Sequence, residues 1–267
     1  YKLKNTLQIA GVDGVTIRGA TNNRDDVVLV GEGMKKPSPN VPHGFYVVRS
    51  KNVSIANLTV KDVQYHCITI QDNAQAPRLY NLRLMDAGEQ HVKSNPNGPG
   101  SGVNKGVVEY CLIEYTTTCA DHYCNGVDVH TGADWAIRHC LFRNIRGNPK
   151  SGMGGPAILM WNDSKGTICE GNLFLNCERG IAFGLGNKDK DHEGGIIRNN
   201  IFYRSADQGG DAAVVAWKSP GTRILHNTLI LSGTYPDAVD ARFKESSGLV
   251  IANNLADAKI NLRDGAT

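Results

Sequence analysis

The apolar residues of this chain fall in short β-branched runs, each closed by Gly, Asn, Asp or Pro, and show no helical period. One series reads VSIANLTV (53–60), LYNLRL (79–84), VVEYCLIEY (107–115), AIRHCLFRNI (136–145), ICEGNLFLNC (168–177), IIRNNIFYRS (196–205), RILHNTLILS (223–232) and LVIANNLADA. In each, a β-branched run meets Asn or Cys and then another apolar pair. The markers are Asn57, Asn81, Cys111, Cys140, Asn172, Asn200, Asn227 and Asn254, spaced 24 to 32 residues apart. GVTIRGA (14–20) resembles an earlier turn of the same kind. A second series lies between these: GFYVVRS (44–50), CITIQDN (67–73), QHVKSNP (90–96), VDVHTGA (127–133), AILMWND (157–163), IAFGLGN (181–187), VVAWKSP (214–220) and VDARFKE (239–245).

Self-similarity at this period is the mark of a solenoid. At least two short strands per repeat and no helix predict an all-β fold. The expected form is a single parallel β-helix over residues 1–267, of about nine coils and ~43 Å length at the inter-strand spacing. The Asn markers are expected to stack at one corner and bond the backbone of neighbouring coils, with Cys111 and Cys140 as an apolar rung.

Alternation along the second series places candidate chemistry on one outer face. With Ile70, Val92, Val129, Met160, Phe183, Ala216 and Ala241 as an inward column, two outward columns follow. One reads Thr69, His91, Asp128, Leu159, Ala182, Val215 and Asp240; the other reads Gln71, Lys93, His130, Trp161, Gly184, Trp217 and Arg242. His91, Lys93, Asp128 and His130 then form one exposed catalytic cluster. Trp161 and Trp217 offer aromatic faces for sugar rings, or simply cap apolar surface, and Arg242 suits an acidic sugar or solvates the sheet. The loop 85–102 sets Asp86 and Glu89 beside the cluster, and the loop 115–126 adds Asp121 and His122. The charged loop 186–195 reads first as a solvated loop without EF-hand spacing, with Asp189, Asp191 and Glu193 as calcium-type donors in the alternative.

Composition narrows the rest. With 30 Gly and 10 Pro in 267 residues, the surplus breakers belong at coil corners. A net charge of +3 without a basic run argues against a nucleic-acid partner. No stretch nears the roughly 20 apolar residues of a membrane helix, so no membrane partner is expected. Seven Cys without a CxxC pair argue against a zinc ribbon; most read as core residues, and Cys119 and Cys124 are spaced for a small-loop disulfide. The chain opens at Tyr1 rather than Met, which fits processing or trimming and permits secretion. No oligomeric state is readable.

The V-x-I-x-N-L coils, GPAILMW and IIRNNIFY resemble the secreted right-handed parallel β-helix proteins of the pectin-lyase-like superfamily. That resemblance implies a right-handed coil, a polysaccharide substrate and a secreted or periplasmic location. The stretch from Glu89 to Ser94, E-x-x-x-K-S, resembles the acidic-then-KS segment of the chondroitinase B and alginate lyase group. It implies Lys93 as the Brønsted base and calcium near Glu89 and Asp86. The sequence departs from that group at DVHTG, where His130 stands in place of an Arg, and it lacks the E-x-E spacing.

The chemistry of β-elimination on a uronate agrees. A base removes the proton α to the carboxylate while a neighbouring group carries the developing charge. Lys93 is the base candidate, His130 the acid or charge stabiliser, and His91 and Asp128 position them. The alternatives are a glycoside hydrolase, which needs paired carboxylates such as Asp128 with Asp121, a zinc site on His91, Asp128 and His130, and a non-catalytic carbohydrate-binding surface.

Overall fold

The structure is a computed structural model that describes residues 1–35, 37–98 and 100–267; residue 99 of the loop 85–102 thus lies outside the description. Its elements are all strands, as the breaker-rich runs predict. Each coil makes three of them. His43–Val48 joins the first sheet, Ser54–Ala56 the second and Thr59–Val63 the third, before His66–Gln71 returns to the first one coil on. The first sheet has ten strands and the other two have nine each. All strand pairs along them are parallel, in chain order. The chain is a single parallel β-helix, as the repeat predicts.

The inner columns are apolar. Ile68, Val92, Val127, Ile158, Ile181, Val214 and Val239 line up from coil to coil and are fully buried. Phe142, Phe174 and Phe202 stack at centroid distances of 5.0 and 4.5 Å with nearly parallel rings. The three long loops of this face run from the third sheet back to the first, or leave the first for the second, so they flank the first sheet on both sides.

The corner between the second and third sheets refines the marker series. The residue that turns the chain there is left-handed: Asn57, Asn81, Tyr110, His139, Asn199, His226 and Asn253 have φ between 48° and 55°. The next residue points inward. The inward column therefore reads Leu58, Leu82, Cys111, Cys140, Asn172, Asn200, Asn227, Asn254. Asn57 and Asn81 stand one residue out of register with the later markers, and at their coils the inward place is held by Leu. The later half is a true ladder. Asn172 Nδ2 donates to Asn200 Oδ1 at 3.0 Å, Asn200 to Asn227 at 3.0 Å, and Asn227 to Asn254 at 2.9 Å. Each amide also donates to a backbone carbonyl and accepts from a backbone N–H. The cysteines continue it: Cys140 N donates to Asn172 Oδ1 at 3.0 Å and Cys111 N to Cys140 Sγ at 3.4 Å. All seven cysteines are buried free thiols. The expected Cys119–Cys124 bridge is not formed; the two thiols are neighbours that donate to the carbonyls of Asp121 and Arg146.

Charged residues on the other two sheets form a separate group. Glu109 lies between Arg78 and Arg138, and Glu114 between Arg83 and Arg143. These ladders hold coil to coil and leave their carboxylates no open side.

Asn200→Ala removes an acceptor for two N–H groups and a donor to Cys169 O, and leaves buried groups unpaired at about 1–3 kcal/mol each. Urea unfolding is expected to show a loss of about 3 kcal/mol for Asn200→Ala. Asn81→Gly, which keeps the left-handed turn, is expected to lose under about 1 kcal/mol.

Candidate active site

The outward face of the first sheet carries the predicted chemistry, with one change of register. Val92–Ser94 pairs so that Val92 faces Ile68 and Val127, Lys93 faces Thr69 and Asp128, and Ser94 faces Ile70 and Val129. This is two residues from the expected alignment. A two-residue shift keeps each side chain on its own face, so Lys93 still points outward. It moves Lys93 into the column of Asp128, however, and leaves the other column to His130, Trp161, Trp217 and Arg242. The apolar pattern misleads here because Ser94, small and fully buried, takes an inward place where a β-branched residue was expected.

His91 precedes the strand and is not part of the cluster. His91 is fully buried, its Nδ1 lies 3.0 Å from Asn125 O and its Nε2 3.0 Å from Glu114 O, and its ring meets the edge of Tyr115. It ties loop backbone together and does not reach the outer face. The zinc alternative loses one of its three ligands with it.

Lys93, Asp128 and His130 do come together. Lys93 Nζ sits 2.5 Å from Asp128 Oδ2 and 3.0 Å from His130 Nε2. The Lys93 and Asp128 side chains are 4% and 1% exposed, so water screens little of their attraction. Trp161 Nε1 donates to Asp128 Oδ1 at 3.0 Å, and the indole meets the His130 ring edge-on at 4.7 Å. The Tyr123 ring lies 5.9 Å from Lys93 Nζ. Trp161 is thus half-buried and bonded into the cluster, rather than lying flat as an open platform.

The first neighbour of Lys93 is therefore a carboxylate. His130 is neutral near pH 7: burial, then the charge of Lys93, lowers its pKa to about 4. Its Nδ1 lies 2.9 Å from Asn162 Nδ2, and Asn162 Oδ1 in turn accepts from Asn187 Nδ2. With the amide oriented by that bond, Nδ1 is an acceptor and the single imidazole proton sits on Nε2, facing Lys93. Lys93 then accepts from His130 and donates to Asp128, as an amine does. With both amides turned over, the bonds of the His130 ring reverse and Lys93 donates to both partners, as an ammonium.

Asn162 and Asn187 were missed in the sequence because WND and GN read as turn signals. Asp191 was read as a calcium donor. It is fully buried, and its carboxylate accepts from the N–H groups of Asn162, Leu185 and Asn187 at 2.7, 2.8 and 3.0 Å. It therefore holds the two amides in place.

The expected calcium donors do not assemble. The Asp86 carboxylate is buried against Thr116 N and Oγ1 at 2.8 and 2.6 Å. Glu89 faces His66 at 3.8 Å, and burial, then the charge of Asp121, raises its pKa. Among the described residues no three His, Cys, Asp or Glu side chains converge as a cation site requires. No chemistry is routed through a metal here.

Further along the groove, Trp217 Nε1 donates to Asp240 Oδ2 at 2.9 Å. Arg242 pairs with Asp264, and its guanidinium lies over the Trp217 and Phe243 rings at 5.4 and 4.7 Å. Two outward Asp–Trp pairs thus stand on the same sheet.

This fold is shared with proteins of known structure. Alginate lyase from Paenibacillus sp. str. FPU-7 superposes with a TM-score of 0.67 at 17% identity over 98% of this chain and 88% of its own. The fold is that of the pectin-lyase-like right-handed parallel β-helix proteins. The β-helix is also similar to PfbA, a surface adhesin of Streptococcus pneumoniae (TM-score 0.52, 13% identity, 99% of this chain and 73% of that one). Endo-xylogalacturonan hydrolase from Aspergillus tubingensis gives a TM-score of 0.51 at 11% identity over 98% of this chain and 75% of its own. No protein-family model and no curated protein sequence matches the chain. At these identities the likeness concerns the fold.

Burial lowers the pKa of His43 and His130 to about 4 and of His66 and His192 to about 3. Below the unfolded value of 6.5, the unfolded chain then binds more protons than the folded one. Urea midpoints are expected to be level above about pH 7 and to fall steadily between pH 6.5 and about 4. A midpoint that rises on acidification would show that these imidazoles are protonated in the fold.

Proposed function

We propose that the protein is a polysaccharide lyase that cleaves a uronate-containing chain by β-elimination on the first sheet, with Lys93 as the base. The observation that carries this reading is Lys93 Nζ held between a buried carboxylate and a neutral imidazole on the outward side of the first sheet, rather than in the exposed cluster that the alternation predicts. The named enzymes among the structural neighbours, an alginate lyase and an endo-xylogalacturonan hydrolase, support a polysaccharide-active enzyme, and the choice of elimination rests on the Lys93 site.

In the amine setting, the Lys93 lone pair takes the proton at the carbon α to the substrate carboxylate. The electron pair of that C–H bond forms the new C=C bond, and the β C–O bond to the neighbouring sugar breaks. The proton returns from the Lys93 ammonium to the leaving oxygen. Asp128 stabilises the ammonium while it lasts, with neutral His130 beside it. His130 serves as hydrogen-bond partner rather than as a cation, because its imidazolium forms only near pH 4. Trp161 and Trp217 line the path of the chain, and Arg242 stands at its far end for an acidic sugar.

The hydrolase reading is weaker because Asp128 faces a lysine rather than a second acid. The binding-surface reading draws on the likeness to a surface adhesin, but a binder has no use for a lysine held between a buried carboxylate and a neutral imidazole.

The protein, incubated with alginate, pectate, chondroitin and hyaluronan, is expected to produce the ultraviolet absorbance of an unsaturated uronate on one of them. Lys93→Ala is expected to lower that rate by about 10³-fold or more with the circular dichroism unchanged. Full activity in Lys93→Ala would sink the mechanism; retarded migration in all the polymers without cleavage would favour the binding reading. Asn162→Ala frees His130 to take the other tautomer. It is expected to lower kcat by about tenfold and to shift the pH–rate profile, with KM little changed.

A further inference from the structure

A second cleft lies at the corner between the second and third sheets, away from the sheet that carries Lys93. Its volume is about 590 Å³, and Arg24, Asn57, Tyr80, Asn81, Tyr110 and His139 line it. The corner demands a left-handed residue, which Asn and Gly supply with little strain. Tyr110 and His139 hold φ 55° with large rings, and Tyr110 is 49% exposed, so core packing does not explain its place.

The rings are arranged as a corner. Tyr80 stands at 72° to Tyr110 with 5.6 Å between centroids, and Tyr110 stacks on His139 at 5.2 Å. Gly171 leaves room for the His139 ring, since a Cβ there would lie 2.8 Å from Nδ1. Arg24 is fixed over the cleft by bonds from Nη1 to Leu82 O at 3.1 Å and Tyr110 O at 2.9 Å. The acids beside it are engaged elsewhere: Asp25 with Arg83, and Asp26 with Thr21 and Asn23. Among the described residues no carboxylate pairs with Arg24. Asn81 Nδ2 is spent on Asn22 O and Asn57 Oδ1, which leaves Asn81 Oδ1 to accept from a ligand.

A positioned guanidinium, an amide oxygen, two phenols and an aromatic corner fit one kind of ligand: a sugar ring with its own carboxylate. We infer that this cleft binds an acidic sugar unit of the polysaccharide, as a holding site remote from the cleavage sheet. The inference rests on the polyuronate reading for its substrate class. A long chain gripped here is presented to the groove at raised local concentration, while a short oligosaccharide gains nothing.

The test uses Arg24→Gln and Tyr110→Asn, the latter placing at this corner the residue that Asn81 already provides one coil before. On the polymer that the protein cleaves, both are expected to raise KM at least about fivefold with kcat unchanged, and to leave kcat/KM on a tetrasaccharide unchanged. Unaltered polymer KM in both variants would overturn the inference and leave the lyase reading standing. A measurement free of these variants is an NMR titration of Lys93→Ala with oligogalacturonate and oligomannuronate. Shifts at the Arg24 side chain and the Tyr110 amide support the cleft, even if no polymer is cleaved and the lyase reading falls. Shifts confined to the first sheet, or none, overturn it.

Discussion

Most polar groups turned into the corner of this β-helix find their partners one coil away. The corner ladder does this by repetition. Each of Asn172, Asn200 and Asn227 accepts from the coil before and donates to the coil after, so a slip of one residue at any rung would break bonds on both sides. Sulfur and then Leu take over the column toward the N-terminus, where apolar burial does the same work without direction. The ladder sets register for the strands on either side of it, and register decides which side chains share the outer face of the first sheet.

That dependence is sharpest at Lys93. One rung of difference in the pairing of Val92–Ser94 decides whether Lys93 stands beside Asp128 or beside His130 in its column. A buried ion pair is a weak source of stability, since desolvation of both charges offsets much of their attraction. The Glu109 and Glu114 ladders are different in kind, with their Arg partners reaching into solvent. Lys93 and Asp128 are the pair whose cost the fold does not need, and His130, Asn162 and Asn187 surround it with a hydrogen-bond chain that runs in either direction. Such an arrangement suits a group that must gain and lose a proton.

The solenoid was legible in the sequence because its period is repeated many times, so local errors average out. The outer columns beyond Asp128 were legible for the same reason: Asp240, Trp161, Trp217 and Arg242 sit in strands with clean apolar alternation. Val92–Ser94 has one apolar residue in three and an irregular loop before it, and there the alignment slipped by two; His91 lies before the strand, where alternation no longer holds, and is buried against loop backbone. Asn57 and Asn81 slipped by one because a left-handed corner Asn and an inward ladder Asn look alike in text. Asp86 and Asp191 show another limit. Acidic residues before and after strands suggest cation ligands, yet both serve backbone N–H groups, and only coordinates tell the two uses apart. Asn162 and Asn187 carried no signal beyond that of a turn.

The proposed chemistry depends most on His130 being held neutral beside Lys93. Nitrogen-15 NMR of the His130 ring tests this most directly, because protonated and acceptor ring nitrogens resonate far apart. At about pH 6, where a free imidazole is largely protonated, one protonated and one acceptor nitrogen are expected, with the proton on Nε2 in the amine setting of Lys93 and on Nδ1 in the ammonium setting. Two protonated nitrogens at that pH would contradict it.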